Sequence, residues 1–317
     1  MLPIVPKTDE RILKFHRVVM RALLQYQLRF SECDELLVLM GERGATEKLL
    51  ASNKTLRRQA DRIMVDLFGK LRIASLSVPT RRFWHVSFIG PHVNEYGPQL
   101  DLDDFRVRVD KLLRRAKLNA VCAMELQTLT NYPQRGRGRS FLLNAHALCW
   151  ADDISFDADK AQAKLRNSSI LKSELGAPTV TFIPRTLEPG GIEYLGHYLL
   201  KAPTEGKRRL RDPDNSSRWI FKQVANVRPD LQLRLLEILS QIEFTDLVWG
   251  VYEGSDIRLE WKQQLVAWNQ SRCARLRALD RDFDVAGLWG RVRAKNHKLK
   301  PRYVSPIIER KTKPTSP

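Results

Sequence analysis

Cysteine is scarce in this chain and poorly placed for its usual structural roles. Cys33, Cys122, Cys149 and Cys273 lie far apart and include no Cys-x-x-Cys pair. Neither a zinc knuckle nor a disulfide framework is indicated, and reduced, buried thiols are expected. Long apolar runs are missing too. No stretch approaches the roughly 20 residues that span a bilayer, and Met1 to Glu10 lacks the apolar centre of a signal peptide. The expected location is therefore the cytoplasm, with nucleoid association if the source is bacterial, and no membrane partner. The chain has no G-x-x-x-x-G-K-[ST], no dinucleotide fingerprint and no H-E-x-x-H, which argues against a built-in ATPase or helicase. Acidic residues are in deficit: 36 Asp and Glu stand against 54 Lys and Arg, a net charge of +18. Such an excess points to a polyanionic partner, nucleic acid before anything else.

What is present suits a soluble globular protein. With 317 residues, 43% of them apolar and 28% charged, the chain can bury a sizeable core as one large or two ordinary domains. Four regions are expected. Residues 1–78 read as helical, since Ile12, Phe15, Val19, Leu23, Tyr26 and Phe30 recur three and four apart and a further amphipathic stretch runs from Glu47 to Leu71. Residues 79–203 change register. Phe83 to Ile89 is rich in β-formers; Asp101 to Lys117 has Phe105, Val109, Leu112 and Leu113 on one helical face; Ala120 to Leu126 and Ser140 to Trp150 read as strands. Phe156 to Asn167 (helix), Thr179 to Pro184 (strand) and a helix after Gly191 follow. This predicts an α+β fold with a central antiparallel βαββαβ sheet, helices on one face and the other face open to a ligand. Residues 204–290 read as a basic linker followed by a helical region, with Phe244 to Gly254 inside it reading as a strand or an irregular aromatic segment, and 291–317 as a basic tail with nine Lys or Arg and one acid, an extended arm for nucleic acid.

Several segments carry chemistry. In Gly190 to Pro203, Tyr194, Tyr198 and Lys201 fall on one face of a helix. A phenol ionises only near about pH 10, so a tyrosine nucleophile needs help, and a lysine one turn away supplies charge for phenolate or phosphate. The same spacing also suits a half-buried amphipathic helix. In the third strand Asn144 and His146 leave the same face, and Glu125 lies across the hairpin if its turn is centred on Arg135. Carboxylate, imidazole and amide make a ligand set for Mg²⁺ or Mn²⁺ rather than zinc. Two basic runs suit phosphates: the hairpin loop with Arg135, Arg137 and Arg139, and the linker with Lys207, Arg208, Arg209 and Arg211.

The succession Phe83 to Ile89, Glu125, Asn-Ala-His at 144–146 and Tyr194-x-x-x-Tyr198-x-x-Lys201 resembles the HUH endonucleases, above all the two-tyrosine rolling-circle replication initiators and related transposases. The resemblance covers residues 81–203. It implies an antiparallel sheet of this order and metal-dependent nicking and joining of single-stranded or hairpin DNA through a 5′-phosphotyrosyl intermediate, alongside host replication proteins. Tyr198 would be the nucleophile, Tyr194 the second tyrosine, and His146 the second histidine of the metal motif. Asn144 stands where the first histidine belongs, and an amide oxygen is the weaker ligand. His85, on a strand expected to neighbour the third, can make up for it if it faces the same side, whereas His197 is expected to point elsewhere. The alternative is a non-catalytic nucleic-acid-binding protein using the same sheet and loops.

Overall fold

Residues 17, 36, 37, 39–41, 45–94, 101–130, 132, 139–171, 178–201, 206–215, 219–224, 229–276 and 287–291 are described by the structure, a computed structural model. The main elements run α1 (Lys54–Ser75), β1 (Arg82–Asn94), α2 (Leu102–Arg115), β2 (Asn119–Thr130), β3 (Arg139–Ala151), α3 (Ala158–Arg166), β4 (Val180–Arg185), α4 (Glu193–Leu199), β5 (Gly206–Arg211), β6 (Trp219–Val224), α5 (Pro229–Leu239), β7 (Val248–Val251) and α6 (Gly254–Leu276). Local chemistry sets several of these starts. Asn53, Asp101 and Asp157 each accept a backbone N–H at the head of α1, α2 and α3, satisfying donors that a helix leaves orphaned.

The fold is mixed α and β. One sheet has the order β4-β1-β3-β2-β5-β6, with β7 also paired to β2. β1 through β4 pair antiparallel, while β5 joins β2 in parallel along Thr128 to Thr130 and β7 joins it antiparallel along Ala120 to Ala123. The sheet therefore extends past the expected four strands and is not purely antiparallel. The region 204–290 supplies three of its strands: β7 falls within Phe244 to Gly254, where a strand was one of two expectations, while β5 and β6 stand where a linker and helices were expected. A run of like charges at Lys207 to Arg209 hides the period of two that marks a strand.

Side-chain alternation gives the sheet two unlike faces. Trp84, Val86 and Phe88 leave β1 on the apolar side, where Trp84 meets Phe156 at a tilt of 54° with ring centres 4.9 Å apart. His85, Ser87, Asn144, His146, Glu125 and Gln127 leave on the other. That second face is not open. α4 lies against β2 and β3, and α1 packs on both α4 and α6. A polar sheet face in this chain is thus roofed by the tyrosine helix, because Leu195 and Leu199 of α4 and Leu56, Ile63 and Leu67 of α1 need burial. Among the described residues no helix is long and apolar enough to cross a membrane, and Cys122, Cys149 and Cys273 are buried free thiols.

Two glycines fix where α4 sits. Gly190 has φ +86°, a conformation open to glycine at little cost, and it turns the chain into the helix. Gly196 lies so close to α1 that a Cβ there would meet Val65 Cγ2 at 2.9 Å and its backbone N at 3.0 Å. Gly196→Val should destabilise the fold by about 1–3 kcal/mol through overpacking, measured by chemical denaturation. A neutral result would mean that α4 does not ride directly on α1.

Candidate active site under the tyrosine helix

β3 places Asn144 and His146 two residues apart, and the hairpin register sets Glu125 directly opposite Asn144. His146 Nε2 lies 3.0 Å from Glu125 Oε2, and Lys201 Nζ is also 3.0 Å from that oxygen. Lys201 follows the last turn of α4, one position past its C-cap, rather than standing within the helix. From there its ammonium lies 4.1 Å from the centre of the Tyr198 ring. The Tyr198 ring meets His85 and His146 edge-on, with centres 4.8 and 4.9 Å apart. Phenol, imidazole, carboxylate and ammonium from four segments thus share one buried place.

β1 contributes two residues. His85 faces the same side as His146, with Nε2 3.3 Å from His146 Nδ1, and Ser87 Oγ is 3.0 Å from that same nitrogen. An ionised carboxylate only accepts, so His146 Nε2–H must donate to Glu125. Its Nδ1 then accepts from Ser87 or His85, and the polar chain is ordered from β1 through β3 to β2.

The charges agree with this order. Burial alone would raise the Glu125 carboxyl, but the hydrogen bond from His146 and the charge of Lys201 outweigh it and hold the group at about 2. Burial lowers His146, against the pull of Glu125. Lys201 would be lowered by burial, yet the Glu125 carboxylate raises it overall. Lys207 on β5 is lowered by burial and then by Lys201, with Glu125 acting the other way, so it too faces this cluster. Arg57 of α1, brought down to about 10 by burial against the pull of Glu125, donates to the Lys201 carbonyl at 3.5 Å. One carboxylate therefore sits among Lys201, Lys207 and Arg57, a surplus of cations suited to an anionic guest.

His85 is pushed to about 3, first by burial and then by the charges of His146, Arg185 and Lys201. An unfolded histidine titrates near about 6.5. Between those values the unfolded chain binds more protons, so stability is full above about pH 6.5 and falls as the pH drops toward 3. Urea midpoints should decline from pH 7 to pH 5, and the decline should be shallower in His85→Gln. Parallel curves for the two proteins would show that His85 is not the titrating group.

Other expected residues are arranged differently. Tyr194 is 39% exposed with its ring centre 6.5 Å from that of Tyr198, on the solvent side of the cluster. Asn144 donates through Nδ2 to Gln127 Oε1 at 3.2 Å, and its Oδ1 is buried without a hydrogen-bond donor. His197 points elsewhere, as expected, but not into solvent: its Nδ1–H donates to Asp61 Oδ2 of α1 at 2.7 Å, and beside it Arg72 pairs with Glu193, so α4 is pinned at two points. Arg135 and Arg137 lie outside the described residues, and Arg139 opens β3 opposite Thr130. Lys207, Arg208, Arg209 and Arg211 stand on β5 instead of in a loop. Ser87, Gln127, Arg57 and Asp61 are residues that sequence reasoning missed; period-two alternation from His85 was the available signal for Ser87.

The donor set can be tested against a divalent cation. Among the described residues no group of three or more His, Cys, Asp and Glu could hold a metal, so any third ligand must come from another type. Glu125 Oε2 and His146 Nε2 are 3.0 Å apart, the spacing of neighbouring ligands at bonds of about 2.1 Å in octahedral geometry. The orphaned Asn144 Oδ1 is an available acceptor of the kind a hard cation takes. These three donors fit Mg²⁺ or Mn²⁺ in chemical type once the His146 proton shifts from Nε2 to Nδ1, where Ser87 Oγ can accept it. Comparison of the chain with family models, with curated proteins and with solved structures finds no match in any of the three.

Proposed function

We propose that this protein nicks and joins single-stranded DNA through a phosphotyrosyl intermediate, in the manner of the rolling-circle replication initiators and transposases that its motifs resemble. The observation that carries the reading is Lys201, whose ammonium lies 4.1 Å from the centre of the Tyr198 ring and 3.0 Å from the Glu125 carboxylate. In this reading residues 79–203 are the HUH-like, RRM-like βαββαβ unit, supported by the strand order β4-β1-β3-β2. Tyr198 Oη attacks the phosphorus, the P–O3′ bond breaks, and the phenol proton ends on the departing 3′ oxygen. The 5′ phosphate stays on Tyr198, and reversal by a new 3′ hydroxyl joins strands. Lys201 stabilises negative charge on the phenol oxygen and on the phosphoryl oxygens as it develops, and Tyr194 serves a second transfer. Mg²⁺ or Mn²⁺ held by Glu125, His146 and Asn144 would polarise the phosphate. His85 and Ser87 keep His146 turned toward Glu125. Single-stranded or hairpin DNA, host replication proteins and a place at the nucleoid belong to this proposal.

The test is covalent capture. Protein mixed with a pool of end-labelled single-stranded oligonucleotides and Mn²⁺ should give a labelled adduct on a denaturing gel. Retention of DNA with no adduct from any sequence would favour the non-catalytic binding protein, a reading supported by the engagement of Asn144 with Gln127.

A further inference from the structure

The basic run of β5 is sorted by strand parity. Lys207, Arg209 and Arg211 leave one face and Arg208 leaves the other. The first face is the one that carries the candidate site. Lys207 is paired in register with Leu129 and senses Glu125, Lys201 and His146. Arg209, paired with Phe221 of β6, holds its guanidinium 5.2 Å from the centre of the Tyr132 ring. Tyr132 meets His92 edge-on at 4.7 Å and Phe221 at 5.7 Å. Beneath these rings Leu129 and Leu142 form a small apolar cluster separate from the main core. Leu142 is four residues along β3 from His146, about 13 Å at strand rise, so the rings stand beside the site on the same sheet face.

We infer that this face of the β5–β6 hairpin is a track for single-stranded DNA leading away from Tyr198, with Lys207, Arg209 and Arg211 on successive phosphates and Phe221, with His92, offering rings to unpaired bases. Alternate residues of a strand are about 6.6 Å apart, comparable to the step between phosphates of an extended single strand. Half-buried aromatic rings beside cations suit unpaired bases, whose faces a duplex keeps stacked. Phe221 and His92 are both half-buried, Arg211 is exposed, and the track begins at Lys207, where the surplus of cations already faces the phosphate position. Arg208, exposed on the opposite face, takes no part.

The inference rests on the DNA reading above, and its test is kept separate from cleavage. Binding of a fluorescent oligothymidylate to the full chain is measured across a salt series without added metal. Arg209→Gln should weaken binding about tenfold and reduce the slope of log K against log salt by about one. Phe221→Leu should weaken it about tenfold with the slope unchanged, as loss of stacking requires, and Arg208→Gln should stay within about twofold. Equal effects of Arg208→Gln and Arg209→Gln would overturn the track while leaving the DNA reading intact. If Phe221→Leu fails to fold, the two arginine variants still decide the matter. Oligothymidylate binding by the wild type without any adduct in the capture assay would remove the nicking function but not the track. No binding of single strands by the wild type would remove both.

Discussion

Tyr198→Phe is expected to remove the covalent DNA adduct altogether, a loss of at least about 10³-fold in strand transfer, because in the proposed reaction the Tyr198 phenol oxygen is the attacking atom and phenylalanine lacks it. The ring itself does structural work. It contacts His85, His146 and the Lys201 ammonium, and phenylalanine keeps all three contacts. What goes is the hydroxyl, so stability should change by about 1 kcal/mol or less. Tyr194→Phe makes the contrast: its ring is 6.5 Å from that of Tyr198 and lies farther toward solvent, so first-strand adduct formation should persist. The assay is the denaturing gel with labelled single strands, run beside a melting curve for each protein. An adduct that survives in Tyr198→Phe with undiminished yield would move the nucleophile elsewhere and end the assignment.

Much of this site was legible because it depends on local periodicity. The alternation of β3 places Asn144 and His146 on one face, and a hairpin centred near Arg135 brings Glu125 opposite Asn144, as the register has it. The helix spacing aligns Tyr194 and Tyr198. Other parts depend on which surfaces meet, and spacing carries no such information. His85 reaches His146 because β1 lies next to β3 in the sheet. His197 meets Asp61 from a helix 136 residues away along the chain. The roof over the polar face follows from the same cause, since α1 and α4 each have an apolar stripe but neither stripe names its partner. β5 was missed for a different reason: its charges obscured a strand whose period of two is visible once the faces are known.

The arrangement makes α1 part of the site as well as of the core. Arg57 bonds the Lys201 carbonyl, Asp61 holds His197, Val65 abuts Gly196 and Arg72 pairs with Glu193. Residues along one face of α1 therefore position both the phenol on α4 and the ammonium just past its end. Such support on a rigid element is what a nucleophile needs if it is to meet phosphorus in line.

Glu125→Gln is expected to be strongly destabilising although it is conservative in shape. The side chain keeps its shape but loses the charge that Lys201, Lys207 and Arg57 share. Lys201, whose side chain is 16% exposed, then holds an ammonium in a largely dry place beside other cations. Breaking a buried pair by removing one partner typically costs about 3–5 kcal/mol, and the hydrogen bond to His146 weakens as well. The pH dependence supplies an independent sign. The Glu125 carboxyl is held at about 2, whereas an unfolded glutamate titrates near about 4.3. Its contribution is therefore complete above about pH 4.3 and is lost as the pH falls toward 2, so the variant should lack that part of the acid transition. Lys201→Met in the Glu125→Gln background should restore part of the loss, since the unpaired cation goes with it. Denaturation of the four proteins at pH 7 gives the coupling directly. If Glu125→Gln is as stable as the wild type, or the double variant is simply the sum of the singles, the carboxylate is not the counterion around which the cations gather.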